Sequence, residues 1–245
     1  FALSENEYNQ VENKIVKTNK LKERLIFGNY PELFHLPNKQ DKIDYLNEMV
    51  SSYLLKDILM YENIKNSQKI FNLLRLIAFQ IGGEVSLQEL GNQLGISKNT
   101  VEKYLDLLSK VFILHKVEGF SRNLRKEITK NSRWYFLDNG IRNAIIANFN
   151  PIESRNDIGA LWENYMISER LKYLEYKKIS SNNYFWRTYN QQEIDWVEER
   201  DGGLFGYEFK WKEEKVKIPS LWQSTYPNAT FEVINQYNFD KWLET

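Results

Sequence analysis

The 245-residue sequence has no cysteine. That excludes a disulfide scaffold, a thiolate zinc site and a cysteine nucleophile together. It suits a reducing, cytoplasmic setting. Histidine is almost as scarce. His35 and His115 are the two present, they fall in separate segments, and both read as structural rather than as ligands. Long hydrophobic runs are missing as well. Leu76-Ile77-Ala78-Phe79 and Val111-Phe112-Ile113-Leu114 are far too short to cross a bilayer, so no membrane partner is expected. No signal peptide, internal repeat or low-complexity tract is visible. Nor is there an excess of one charge, since Lys+Arg and Asp+Glu both number 33. Zero net charge argues against a uniform coating of nucleic acid or anionic membrane and confines such contact to a local basic face. The first residue is Phe rather than Met, as expected of a fragment.

What is present is enough for substantial cores. Hydrophobic residues make up 42% of the chain and aromatics 15%, in a length that suits one large or two small domains. Residues 4–60 read as amphipathic helices broken at Gly28-Asn29-Tyr30-Pro31. Between Tyr45 and Tyr61 the apolar positions Leu46, Met49, Val50, Tyr53, Leu54 and Ile58 follow helical spacing. A helix through Phe71, Leu74, Ile77 and Ala78 closes at Gly82-Gly83. Ser86 then caps a second helix, with Glu89 as its capping-box partner, and Ser97 caps a third carrying Val101, Tyr104, Leu105 and Leu108. A Leu-Gly-Ile-Ser turn joins these two short helices into a helix-turn-helix. Strands at Val111–Leu114 and Trp134–Leu137 would complete a winged helix. Beyond a polar linker at 151–157, the pattern predicts a helix from about Ile158 to Tyr176, several strands, a helix at about Pro219–Ser224, a strand at Thr230–Ile234 and a last short helix at Phe239–Leu243.

The winged-helix segment carries the nucleic-acid signal. The third helix of such a unit enters the major groove. Its outward residues here are Lys98, Asn99, Thr100, Glu102, Lys103 and Asp106. Two lysines, an amide and a hydroxyl suit DNA, whereas the two acids oppose phosphate. The wing holds Arg122, Arg125, Lys126, Lys130 and Arg133 against one acid, Glu127, and would bind phosphates in a salt-dependent way. A packing module with a solvated basic loop is the plainer alternative.

A second signal lies in the last third. Glu193–Val197 and Phe205–Trp211 alternate as strands do, with Asp201-Gly202-Gly203 between them as a hairpin turn. Parity puts Ile194, Trp196, Phe205, Tyr207, Phe209 and Trp211 on one face, and Asp195, Glu208 and Lys210 on the other. With Asp201-Gly202 as the turn, Asp195 lies opposite Glu208. Two facing carboxylates cost roughly 0.2–1 kcal/mol, which a divalent cation would reverse. With Gly202-Gly203 as the turn, Asp195 lies opposite Lys210 in a plain ion pair. Glu163 adds to the pattern. Its helical neighbours Gly159, Ala160, Met166 and Ile167 are apolar or featureless, so its carboxylate needs a metal or a buried cationic partner.

Glu163 on a helix, Asp195 on a strand and Glu208-Phe209-Lys210 on the next resemble the PD-(D/E)xK nuclease superfamily. The resemblance implies a restriction-endonuclease-like αβββαβ domain. It implies that Glu163, Asp195 and Glu208 bind Mg²⁺ and that Lys210 positions or activates the attacking water. The wider chain is similar to the C-terminal half of a family of prokaryotic AAA-type ATPases. The residues that carry this are Gly28-Asn29-Tyr30-Pro31, Tyr53 with Lys56-Asp57-Ile58, the helix-turn-helix, Trp134 to Gly140, Leu161-Trp162-Glu163-Asn164, Trp186-Arg187-Thr188 and Glu193-Ile194-Asp195. Such proteins have an N-terminal P-loop domain, a winged helix and a C-terminal nuclease-like domain of unknown function. No Gly-x-x-x-x-Gly-Lys-Ser/Thr occurs here, so ATP would bind only in an N-terminal domain missing from this chain. The expectation is an α+β chain in three parts: a helical segment (1–67), a winged helix (68–148) and a nuclease-like domain (151–245). Its expected role is that of an accessory half acting on or binding DNA. A metal-dependent nuclease and a non-catalytic interaction module are the alternatives, and self-association is left open.

Overall fold

The computed structural model describes residues 2–10, 14–54, 67–122 and 131–244. In chain order the helices are α1 (Glu5–Asn9), α2 (Lys14–Phe27), α3 (Pro31–His35) and α4 (Lys39–Glu48), which runs into a π-helical stretch, Met49–Leu54. After these come α5 (Ser67–Phe79), β1 (Glu84–Val85), α6 (Leu87–Leu94), α7 (Lys98–Lys110), β2 (Leu114–Gly119) and β3 (Ser132–Phe136). The rest is α8 (Asn139–Ile145), a 3₁₀ turn (Ile152–Ser154), α9 (Ile158–Tyr176), β4 (Asn182–Arg187), β5 (Glu193–Arg200), β6 (Gly203–Phe209), α10 (Ser220–Thr225), β7 (Thr230–Ile234) and α11 (Phe239–Trp242). The chain is α+β. The second half of the helix expected over 45–61 lies outside the described residues, as do Lys56-Asp57-Ile58 and residues 123–130.

Local chemistry sets the ends of the two short helices. The Ser86 hydroxyl accepts the Glu89 N–H and caps α6, and the Ser97 hydroxyl does the same for Thr100 and α7. Between them Gly95 turns the chain at φ +63°, a conformation that costs glycine nothing. Leu90, Leu94, Val101, Leu105 and Leu108 are buried behind this pair. The expected strand at Val111–Leu114 is corrected. Val111–Ile113 form a turn with Phe112 at φ 59°, and β2 starts at Leu114.

The seven strands among the described residues belong to one mixed sheet, in the order β1-β3-β2-β4-β5-β6-β7. β2 meets β4 in parallel through Glu118↔Tyr184 and Gly119↔Phe185, so hydrogen bonding continues from the first half of the chain into the second. The β5–β6 hairpin turns on Asp201 and Gly202, both at positive φ, and pairs Trp196 with Tyr207 and Arg200 with Gly203. Of the two registers open in the sequence, this is the one that carries Asp195 toward Glu208.

The alternation expected of β5 is broken at one place. Tyr184 pairs with Val197 but Trp186 with Ile194, so Asp195 and Trp196 together oppose Phe185 alone. The extra residue reverses the parity before it. Ile194 therefore leaves the face of Trp196, Tyr207 and Phe209 and joins Val197, Leu204, Trp186 and Trp222 in the smaller apolar cluster.

Buried amides hold α9 against the sheet. Asn164 accepts the Phe136 N–H at 2.7 Å and donates to the Phe136 carbonyl at 2.9 Å, as a strand neighbour would, and it also donates to Asn139. Asp138 caps α8 and accepts the Asn29 N–H at 2.7 Å. Gly140 passes so close to the Phe27 carbonyl that a Cβ would sit 1.9 Å from it. Asn164→Ala should therefore leave a buried N–H and a buried carbonyl unpaired and lower stability by at least about 2 kcal/mol, measured by urea unfolding. A change within about 0.5 kcal/mol, the scatter of surface substitutions, would show that α9 is held by packing alone.

Candidate functional site

The resemblance singled out Glu163, Asp195, Glu208 and Lys210, and the fold brings all four to one region. α9 supplies Glu163, the irregular position in β5 supplies Asp195, and the end of β6 supplies Glu208 followed by Lys210. Asp195 and Glu208 are 6% and 7% exposed, so their charges have little access to water. The Asp195 Oδ2 accepts the Phe209 N–H at 2.9 Å. Lys210 Nζ lies 2.7 Å from Glu208 Oε1, whereas Glu208 Oε2 is buried without a hydrogen-bond partner among the described residues.

The residue that organises the group was expected elsewhere. Arg133, read from sequence as a phosphate contact on the wing, is a buried residue of β3. Its Nη1 lies 3.6 Å from Glu163 Oε1 and 3.8 Å from Asp195 Oδ1, and its Nη2 lies 3.0 Å from Glu193 Oε2. Its guanidinium stacks 4.6 Å over the Phe185 ring. Tyr135, two residues along the same strand and so on the same face, donates its hydroxyl to Glu163 Oε1 at 2.6 Å. The Gly82 backbone closes over Glu163, where a Cβ would come within 3.1 Å of both carboxylate oxygens. Glu84 of β1 pairs with Arg187 of β4 at 2.5 Å and accepts from Asn131 at 3.2 Å.

Sequence reading missed Arg133 as a partner of the acids, and with it Tyr135 and Glu193. The signal was present in the alternation of Ser132-Arg133-Trp134-Tyr135, which pairs the cation with the phenol once the segment is taken as a strand. Of the other expected nucleic-acid residues, Lys98 and Lys103 are exposed on α7. Arg122 is exposed and pairs with Glu199 at 2.6 Å. Arg125, Lys126 and Lys130 lie outside the described residues. Burial lowers the pKa of His115 to about 4, so it is neutral at pH 7.

The electrostatics follow from burial. Burial raises Asp195 well above the usual carboxylate range, with the Glu163 and Glu208 charges adding to the effect. Burial also raises Glu163, against the opposing influence of Arg133 and the Tyr135 hydroxyl. Desolvation works against the Arg133 charge too, but Tyr135, Glu163, Asp195 and Glu193 outweigh it and hold that pKa above the ordinary guanidinium value. Among the described residues, no set of three or more His, Cys, Asp or Glu side chains is arranged to hold a metal ion.

An α+β chain with a buried carboxylate–arginine centre thus emerges. It belongs to the family described as Domain of unknown function (DUF8612), whose model matches residues 18–152. A second model, Domain of unknown function (DUF4143), matches residues 158–225, the segment carrying Glu163, Asp195, Glu208 and Lys210. An uncharacterized protein of Mycobacterium tuberculosis is 21% identical over 199 residues, covering 80% of this chain and 43% of its own length. An uncharacterized protein of Methanocaldococcus jannaschii is 23% identical over 185 residues, covering 72% of this chain and 38% of its own. The chain therefore spans less than half the length of these curated relatives. No solved structure matches it significantly. No helix among the described residues is long and apolar enough to cross a membrane.

The raised carboxyl groups make stability depend on pH. A carboxyl whose folded-state pKa is raised binds its proton more tightly in the folded than in the unfolded chain. Its contribution is complete below the ordinary carboxylate pKa and is lost as pH rises through the folded value. Asp195→Asn keeps an acceptor for the Phe209 N–H and does not titrate. The melting temperature of the wild type relative to Asp195→Asn should therefore fall as pH rises from about 4, the ordinary Asp value, to neutrality. A constant difference across that range, followed by circular dichroism, would contradict the assignment.

Proposed function

We propose that this chain is the C-terminal accessory half of an AAA-type ATP-binding protein, and that it contacts DNA through a winged helix set against a restriction-endonuclease-like unit. The observation that carries the DNA reading is a groove of about 960 Å³ between α7 and the strands β2 and β3. Lys98, Asn99 and Lys103 line one wall, Gln88 another, and Lys116, Asn131 and Ser132 the strand side. These are donors and acceptors of the kind that meet phosphates and base edges. Two acids, Glu102 and Asp106, also face the groove, but Asp106 is paired with Lys110 at 2.7 Å. The ATPase part of the reading is supported by the greater length of the relatives and by the frequent occurrence of the DUF4143 domain with AAA ATPases.

A second reading, a metal-dependent nuclease using Asp195, Glu208 and Lys210, is favoured by the buried Glu208 Oε2, which has no hydrogen-bond partner among the described residues. Arg133 and Lys210 stand against it, because their charges are already beside the acids that Mg²⁺ would need. The donor set does not fit Mg²⁺ while Arg133 is in place.

The DNA reading is tested by the salt dependence of binding to a duplex. Lys98→Ala combined with Lys103→Ala should weaken binding and reduce the log–log salt slope by about two, since each phosphate contact contributes about 0.9. Wild-type affinity and slope in the double variant would move the contact away from α7. Adding Arg125→Ala and Lys126→Ala asks the same of the basic stretch of sequence that precedes β3.

A further inference from the structure

We infer that Arg133 is the resident cation of the carboxylate centre, standing in for a divalent metal, and that its charge is what keeps such an ion out. Glu163, Glu193, Asp195 and Glu208 are acids, and Arg133 and Lys210 are the cations paired with them. Lys210 is committed to Glu208 at 2.7 Å. Among the described residues Arg133 is the cation that reaches the other three, at 3.0 to 3.8 Å.

Geometry fixes that cation in place. The guanidinium is buried, stacked on Phe185 at 4.6 Å, and mounted on a strand paired on both sides, with β1 and with β2. A cation so held costs little further ordering to present, and it cannot leave without breaking three acid contacts. A divalent ion entering beside it would meet like charge at close range in a poorly solvated site. Without Arg133, Glu163 and Asp195 would face each other and Glu208 with no counter-charge except Lys210. Hard carboxylate oxygens of this kind suit Mg²⁺ or Mn²⁺, and Glu208 Oε2 is already buried with no hydrogen-bond partner among the described residues. DNA binding through α7 does not enter this inference, so either can fail alone.

The experiment titrates Mn²⁺ into the full chain and follows the heat and the loss of the free-ion paramagnetic resonance signal. The wild type is expected to show no saturable binding at millimolar Mn²⁺. Arg133→Gln is expected to gain one saturable site, which the further change Asp195→Asn removes. Arg133→Lys, which keeps the charge, should remain silent. Saturable wild-type binding that Asp195→Asn abolishes would overturn the inference, as would a cooperatively folded Arg133→Gln that binds nothing. If Arg133→Gln loses its cooperative melt, adding Glu163→Gln must restore it, because the missing quantity is then a counter-charge. Failure to restore it would also overturn the inference.

Discussion

The contact of the buried Arg133 with Asp195 and Glu163, and at its edge with the exposed Glu193, is the constraint on which the centre of this molecule depends. Buried carboxylates repel one another and lose the hydration that stabilised them in the unfolded chain. An arginine inside the cluster changes the sign of the nearest interactions. Such an arrangement is weak evidence for stability, since desolvation offsets much of the attraction. Removing one partner is another matter, because it leaves a buried charge uncompensated at a cost of about 3–5 kcal/mol. The acids and the arginine therefore need each other, whatever the net gain from having both.

That dependence crosses the chain. The acids come from α9, β5 and β6, after residue 157, while Arg133 and Tyr135 come from β3. The parallel pairing of β2 with β4 joins the two sets of strands, and the Asn164 amide bonds to Phe136 fix α9 beside β3. One strand also serves two surfaces. Ser132 and Trp134 line the groove beside α7, while Arg133 and Tyr135 point to the carboxylates. The groove beside α7 and the acidic centre thus share a wall one strand thick.

Much of this was legible in the sequence. The serine caps of α6 and α7 followed from capping chemistry, a local property, and the expected bounds of α9 and β7 match those observed. The hairpin register was legible only to a choice of two turns, and the structure takes Asp201-Gly202, both at positive φ. The departure from alternation at Asp195 was not legible. It arises from pairing with β4, and the sequence of β5 alone carries no mark of it. Arg133 was misplaced for a related reason. Its neighbours at 122–130 are basic, so composition drew it into the loop, whereas its partners lie 30 to 62 residues further on. Glu163 was read correctly as a carboxylate in need of a partner, but whether a metal or a cation supplied the charge depended on that distant strand.

The character of the centre turns on where one guanidinium stands, and a crystal of the wild-type chain soaked in MnCl₂ shows that directly. Anomalous scattering would locate any manganese, and the density would locate the Arg133 side chain. The predicted result is Arg133 in contact with Glu163, Asp195 and Glu193, with no anomalous peak among them. A peak between Asp195 and Glu208, with Arg133 swung away from both, would contradict it.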